Sequence, residues 1–341
     1  MNKGRMEEML IQRELLEAME RILPSRQIKC REPMDRHCSF RTGGPADALV
    51  LVKTEKEMEG LLSLLKEAGE EYFLLGRGTN LLIGDGGYRG VIVTAAPPAS
   101  APSSAEAVRE AESGQWKEAR EQGNFSLDAV YVDGNRVIAG AGATLKAAAI
   151  AAMENGLAGM EFAAGIPGTV GGGLVMNAGA YGGEMKNIVE SVRLLMPDGS
   201  LSVRTGQEME FGYRTSILRH VPAAALQAEF VLTPGDPEKI RARIADLSEQ
   251  RRSKQPLEFP SAGSTFKRPE GYFAGKLIMD AGLAGYSVGG AQVSEKHCGF
   301  VINRGGATSA QIRQLIEDVQ NRVFEDAGVR LEREVIFLGE F

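Results

Sequence analysis

The segment from Glu161 to Met185, EFAAGIPGTVGGGLVMNAGAYGGEM, carries eight glycines and almost no charge between its terminal acids. Glycine weakens helix and strand alike, so such density serves close approach of another group to bare backbone. Two further stretches, GRGTNL from Gly76 and GAGATL from Gly140, imitate the opening of the dinucleotide fingerprint G-x-G-x-x-G but lack its third glycine. The glycines ahead of Thr79 and Asn80 still let backbone N–H groups converge on phosphate oxygens as an anion nest. Retention of a phosphate-bearing ligand is the chemistry these residues offer. GYSVG, Gly285 to Gly289, matches the hydrolase elbow G-x-S-x-G, which needs a strand before the Ser and a helix after it. The sequence that follows, GAQVSEKHCGFVIN, reads as loop and strand, so a serine hydrolase stands as a rival from a different enzyme class. His37-Cys38 and His297-Cys298 suggest metal ligands, but adjacent side chains on an extended chain point to opposite faces, and no metal is expected.

These groups need elements to position them. Met6, Met9, Leu10, Leu16, Met19 and Leu23 form one helical stripe, an N-terminal helix docked by its apolar face. From Arg41 the runs DALVLV, YFLLG, LLIG and GVIVTA read as buried strands, with a helix between the first two in βαβ order. Residues 96–126, rich in Ala, Pro, Ser and charge, read as a mobile, exposed insertion. A hairpin turning at Asp-Gly-Asn follows, then a helix from Thr144 to Asn155, a second hairpin turning at Pro-Asp-Gly, and the strand in AALQAEFVL. Beyond a boundary near 234 come a polar helix from Pro237 to about Lys254, the strand CGFVIN, a helix after Thr308 and the strand EVIFLG. The division is residues 1–40 as helix and lead-in, 41–234 as one domain, and 235–341 as a C-terminal domain.

Composition narrows the class. A formal charge of −6 argues against a general nucleic-acid surface, while the clusters Arg251, Arg252, Lys254 and Lys267, Arg268 can hold an anionic ligand locally. Three scattered cysteines make no disulfide framework. No apolar run is long enough to span a bilayer and the N-terminus lacks a signal-peptide pattern, so a cytoplasmic protein is expected, with no required protein partner.

SFRTGGPADALV, LGRGTNLLIGDGGYRGVIV, GMEFAAGIPGTVGG, NAGAYGGE, FGYRTSIL, SAGSTFKRP, GGAQVSEKHCGFVIN and LEREVIFLG follow one another from about Cys38 to Leu338. In number, order and spacing they resemble the UDP-N-acetylenolpyruvoylglucosamine reductase family, flavin reductases of bacterial peptidoglycan synthesis. The resemblance implies an α+β protein: a two-subdomain FAD-binding fold of the vanillyl-alcohol-oxidase type plus a C-terminal α+β substrate-binding domain. It implies bound FAD, NADPH as hydride donor and a UDP-sugar substrate. It assigns cofactor binding to Gly76, Arg77, Gly78, Thr79, Asn80, Gly165, Ile166, Pro167, Gly168, Gly172, Asn177, Ala178 and Gly179. Side chains at Gly165, Gly168, Gly171 or Gly172 would then occupy ligand volume. Substrate binding falls to Tyr181, Lys254, Lys267 and Asn303, and catalysis to Arg214, the proton donor Ser264 and the acid Glu334. The chain departs from the family at Arg268, where Asn is common, at Gly173, where Ala is usual, and in the 96–126 insertion. The stretch between Arg214 and Ser264 has no room for the tyrosine-bearing lid of one branch, so the lidless branch is implied.

Taken alone, Arg214, Ser264 and Glu334 read equally as a surface charge, a turn residue and a wet strand-end carboxylate. Chemistry ties them together. Hydride delivery to C3 of an enolpyruvyl ether leaves negative charge at C2, delocalised into the carboxylate, which calls for a fixed guanidinium and a positioned acid. Two rivals share the fold: an FAD-dependent oxidase of a small alcohol using oxygen, and a non-catalytic flavin-binding module.

Overall fold

The computed structural model describes residues 13–96 and 115–341. Met6, Met9 and Leu10 of the expected stripe lie outside the described residues. Helix α1 (Arg13–Ile22) buries Leu15 and Met19, which join Leu23 in a core with Leu61 and Leu65 of helix α2 (Glu55–Glu67). Thr54 caps α2 by accepting from the Glu57 N–H, which fixes where the helix starts. Around α2 run strands β1 (Ile28–Pro33), β2 (Pro45–Leu51), β3 (Tyr72–Leu75), β4 (Leu81–Ile83) and β5 (Tyr88–Thr94). Four form a sheet in the order β1-β2-β5-β3, with β2, β5 and β3 parallel and β1 antiparallel at the edge. The β2–α2–β3 unit is the βαβ legible in the sequence. The separate lead-in over 1–40 needs correction, because β1 is an edge strand of this sheet. Its residues are mostly exposed, which hid the strand from a search for apolar runs.

The last part of the expected insertion carries helix α3 (Gln115–Glu121), whose Trp116 is buried with Phe125, Ala129, Tyr131 and Ile138 in a satellite core. The chain next to it is sewn to the start of α2, where Gly123 O accepts from Lys56 N at 3.0 Å and Phe125 O from Glu55 N at 3.3 Å. Two aromatic anchors carry enough apolar area to order a polar segment. The part of the insertion over 97–114 lies outside the described residues.

The second subdomain begins with the hairpin β6 (Val130–Asp133) and β7 (Arg136–Gly140), whose turn contains Gly134 at φ +60°. Helix α4 (Leu145–Glu154) is capped by Thr144 and buries most of its alanines. After β8 (Leu157–Ala158) come helix α5 (Val170–Val175), the small ladder β9 (Gly179–Ala180) and β10 (Gly183–Glu184), and strands β11 (Val189–Leu195), β12 (Leu201–Thr205) and β13 (Ala224–Val231). The antiparallel sheet runs β12-β11-β13-β7-β6, and β14 (Thr233–Pro234) pairs back on β8.

Helix α6 (Pro237–Lys254) opens on Asp236 as cap and Pro237 in its first turn, a local signal that places its start. Helix α7 (Ala274–Asp280), strands β15 (Ser287–Val288), β16 (Ala291–Val293) and β17 (Val301–Asn303), helix α8 (Ser309–Ala327) and strand β18 (Ile336–Leu338) complete the chain. Strand β18 leaves this region and pairs in parallel with β4, Ile336 opposite Leu81 and Leu338 opposite Ile83. Phe40, Leu82 and Ile83 accordingly share one core with Phe266, Ile278, Ile312 and Ile316. Residues 235–341 therefore have no separate core. GYSVG falls on β15 and its flanking turns, with a strand and no helix after Ser287, so the hydrolase elbow is absent there. Among the described residues no helix is long and apolar enough to cross a membrane.

Phe125→Ala empties the centre of the satellite core, where Phe125 is fully buried. A loss of about 3 to 5 kcal/mol is expected for such a truncation. Trp116 is the single tryptophan of the chain, so its fluorescence should red-shift as α3 undocks. An unshifted emission maximum and unchanged denaturant midpoint would refute the docking.

Candidate active site

A cleft of about 1090 Å³ lies where the three regions meet, walled by the loop after β3, the glycine stretch before α5, the end of α6 and the segment 259–264. Drug-sized ligands occupy pockets of roughly 300 to 1,000 Å³, so there is room for a large cofactor.

The loop Gly76–Asn80 forms one wall. Gly78 sits at φ +61°, and a Cβ there would run into the His37 carbonyl. At Gly76 a Cβ would lie 2.7 Å from Thr169 Oγ1, so this loop and the glycine stretch touch directly. Burial lowers the pKa of Arg77, which lines the same wall.

The glycines of the opposite wall divide by what they face. Gly171 does not line the cleft, and a Cβ there would meet Ala141 at 3.1 Å, so its bareness serves packing; the expectation that a side chain there would fill ligand volume is corrected. At Gly179 a Cβ would approach Gly183 O at 2.7 Å, a close contact of the β9–β10 ladder. Gly165 and Gly168 differ. A Cβ at either meets only ordinary contacts of 3.6 to 3.8 Å, yet both line the cleft. Their missing side chains leave the cleft open. Ile166, Pro167, Gly172 and Ala178 line the same surface.

The side chain of Asn177 acts as a clamp within the protein. It is buried, its Nδ2 donates to Glu184 Oε2 at 2.9 Å and to Gly212 O at 3.0 Å, and its Oδ1 accepts from Lys186 N at 2.9 Å. It thereby ties the glycine stretch to the turn that delivers Arg214. Asn177, Tyr181 and Arg214 adopt φ of +43°, +53° and +55°, a region uncommon for residues other than glycine. Strained backbone of this kind persists where surrounding contacts over-determine it. Tyr181 is exposed on the rim of the cleft.

Arg214 and Glu334, far apart in the chain, meet in the cleft, with Arg214 Nε donating to Glu334 Oε1 at 2.7 Å. The Glu334 side chain is only 13% exposed. Burial raises its pKa above the ordinary glutamate value, opposed by the guanidinium of Arg214 and the ammonium of Lys267. Its backbone N–H donates to Thr265 O at 2.9 Å, which places the segment carrying Ser264 beside it. Ser264 is exposed in the cleft after Gly263, a residue at φ +75°.

Three other expected ligands do not line the cleft. Asn303 is buried, donating to Phe40 O at 2.9 Å while its Oδ1 accepts from Gly305 N and Ala307 N, so its polar atoms organise a turn. Lys254 is exposed at the end of α6 outside the cleft lining, and Lys267 is paired to Glu332 at 2.5 Å, near enough to Glu334 to act on it electrostatically. Arg251, one turn before Lys254, lines the cleft instead, beside Gly165, with its Nε on Gln255 Oε1 at 2.9 Å. The basic cluster held the right signal, but charge alone did not say which member turns inward.

A family model described as the C-terminal domain of UDP-N-acetylenolpyruvoylglucosamine reductase matches residues 255–338, and one described as an FAD binding domain matches residues 124–204. UDP-N-acetylenolpyruvoylglucosamine reductase of Lachnoclostridium phytofermentans is 44% identical over 326 residues, covering 96% of this chain and 97% of that protein. The Clostridioides difficile reductase is 46% identical over 319 residues, covering 94% of this chain and 96% of its own. The crystal structure of the Thermus caldophilus reductase superimposes with a TM-score of 0.68 at 29% identity, covering 91% of this chain and 98% of that one. Identity of this extent over nearly the whole length of both chains shows that the chain belongs to the UDP-N-acetylenolpyruvoylglucosamine reductase family of FAD-dependent oxidoreductases.

Proposed function

We propose that this chain reduces UDP-N-acetylglucosamine enolpyruvate to UDP-N-acetylmuramate with NADPH, as a cytoplasmic step of peptidoglycan precursor synthesis that needs no protein partner. The observation that carries this reading is the meeting of the Arg214–Glu334 pair and Ser264 in one cleft with the bare strip Gly165–Gly168. The residues present fit FAD. Gly165 and Gly168 leave open the volume a side chain would fill, and Gly76 to Thr79 offer backbone N–H groups to a diphosphate on the facing wall. When bound, FAD supplies the hydride chemistry, accepting from NADPH and delivering to the enolpyruvyl double bond.

Protein groups handle the charge and the proton. Arg214, held by the Gly212 clamp and paired to Glu334, places a fixed guanidinium where the substrate carboxylate gains electron density. Ser264 Oγ donates the proton to C2; an alcohol is a weak acid, but the carbanion is a far stronger base. Glu334, whose burial raises its pKa above that of an ordinary glutamate, stands beside Arg214 in the cleft and in its protonated form can donate a hydrogen bond to the enolate oxygen. Arg251 adds a sheltered positive charge beside Gly165.

Ser264→Ala separates the half-reactions. In stopped-flow absorbance, bleaching of the flavin band by NADPH should match wild type, while recovery with the enolpyruvyl substrate slows by about 10²- to 10⁴-fold. Equal slowing of both phases would assign Ser264 to cofactor positioning. Gly168→Val should give folded protein lacking the flavin band, since the protein side of this position has room for a Cβ; recovery of that variant with stoichiometric FAD would remove the strip from the cofactor site.

The recovery phase should also depend on pH. The protonated fraction of Glu334 falls as pH rises through its raised pKa, so the recovery rate should fall along the same limb. In Glu334→Gln the side chain cannot titrate, and the limb should vanish from a pH series of recovery rates. A limb that survives in this variant belongs to another group.

A further inference from the structure

Asn80 closes the anion-nest loop and is also the residue immediately before β4. Its Nδ2 donates to the Glu334 carbonyl oxygen at 3.1 Å and lies 3.9 Å from Met176 Sδ. Its own carbonyl accepts from Ile336 N at 3.0 Å. The ladder between β4 and β18 starts only at Leu81 opposite Ile336, so Glu334 stands two residues ahead of the paired strand. On the other side its N–H is held by Thr265 O at 2.9 Å. The backbone of Glu334 is thus fixed from two directions, by the residue that ends the cofactor loop and by the residue next to Ser264.

We infer that Asn80 is a positioning residue for the acid Glu334, clipping its backbone so that the carboxyl meets Arg214 and the substrate, and that it links the cofactor loop to the proton-handling side of the cleft. The inference rests on the reading of Glu334 given above. A side-chain amide suits this task because it satisfies a carbonyl that has no strand partner, while the Asn80 backbone continues the ladder. The Glu334 backbone cannot shift toward solvent without breaking this bond or the one to Thr265, and the burial that raises the carboxyl pKa starts from that backbone position.

Asn80→Leu keeps the shape of the side chain, carries no charge and removes the donor; Asn80→Ala removes the reach as well. Both are compared with wild type for FAD content, NADPH bleaching, and recovery with the enolpyruvyl substrate across pH. Because the family resemblance also places Asn80 in the cofactor loop, both variants are saturated with FAD before mixing; the expected result is recovery slowed relative to bleaching on the order of tenfold, below the ~10²-fold that a 1 Å misplacement can cause. The high-pH limb of recovery should move to lower pH as Glu334 becomes better hydrated, a shift that a purely structural clip would not produce. Bleaching and recovery slowed by the same factor at saturating FAD would make Asn80 a cofactor ligand alone and overturn the proposal. So would unchanged recovery with an unmoved limb, in either variant. Wild-type protein that bleaches but never recovers with this substrate would sink the functional reading and the Asn80 role together, whereas the outcomes above sink the Asn80 role alone.

Discussion

Three residue pairs of parallel strand, Leu81–Ile83 against Ile336–Leu338, are the constraint on which the cleft depends. They draw the end of the chain onto the first subdomain, and the burial of Leu81, Leu82 and Ile83 in the shared core holds them there. Glu334 reaches Arg214 only because this pairing stops just short of it. Arg214 arrives from the other side on a turn fixed by Asn177 and by Ser216 Oγ, which donates to Val175 O at 3.1 Å. The Arg214–Glu334 contact in the cleft is the visible end of two unrelated sets of backbone bonds, one from each flank.

What sequence could reveal follows from how local each signal is. Helices α6 and α8 were readable from their own residues, and the structure shows why their starts are local: Asp236 caps the first and a Thr308–Gln311 capping box opens the second. The glycine stretch announced a bare wall for the same reason. Strand β1 was hidden, since an edge strand exposed on most of its residues has no apolar run to betray it. The order of residues 115–126 was hidden as well, because composition averages over a segment while two aromatic residues decide where it docks.

The site residues show the same divide. Arg214, Ser264 and Glu334 were visible as members of motifs, and the structure brings them to one cleft. Asn177 and Asn303 occupy motifs equally well, yet their amides are engaged by backbone groups that come from turns the sequence does not display. Residue type gives the capacity to bond; only the fold says which partner takes it. Arg251 and Lys254 differ in whether the last turns of α6 face Gly165, a question of helix rotation and not of charge.

The β4–β18 ladder also sets an order of events during synthesis. Strand β4 leaves the ribosome long before its partner β18. Until then the edge of β4 carries unpaired N–H and C=O groups beside Leu81, Leu82 and Ile83, an open template for another chain. Contacts of such long sequence separation form late because loop closure costs entropy before they return any stabilisation. The nascent chain therefore stays exposed to aggregation at this edge until β18 emerges, and removal of β18 would leave the β4 edge without its partner.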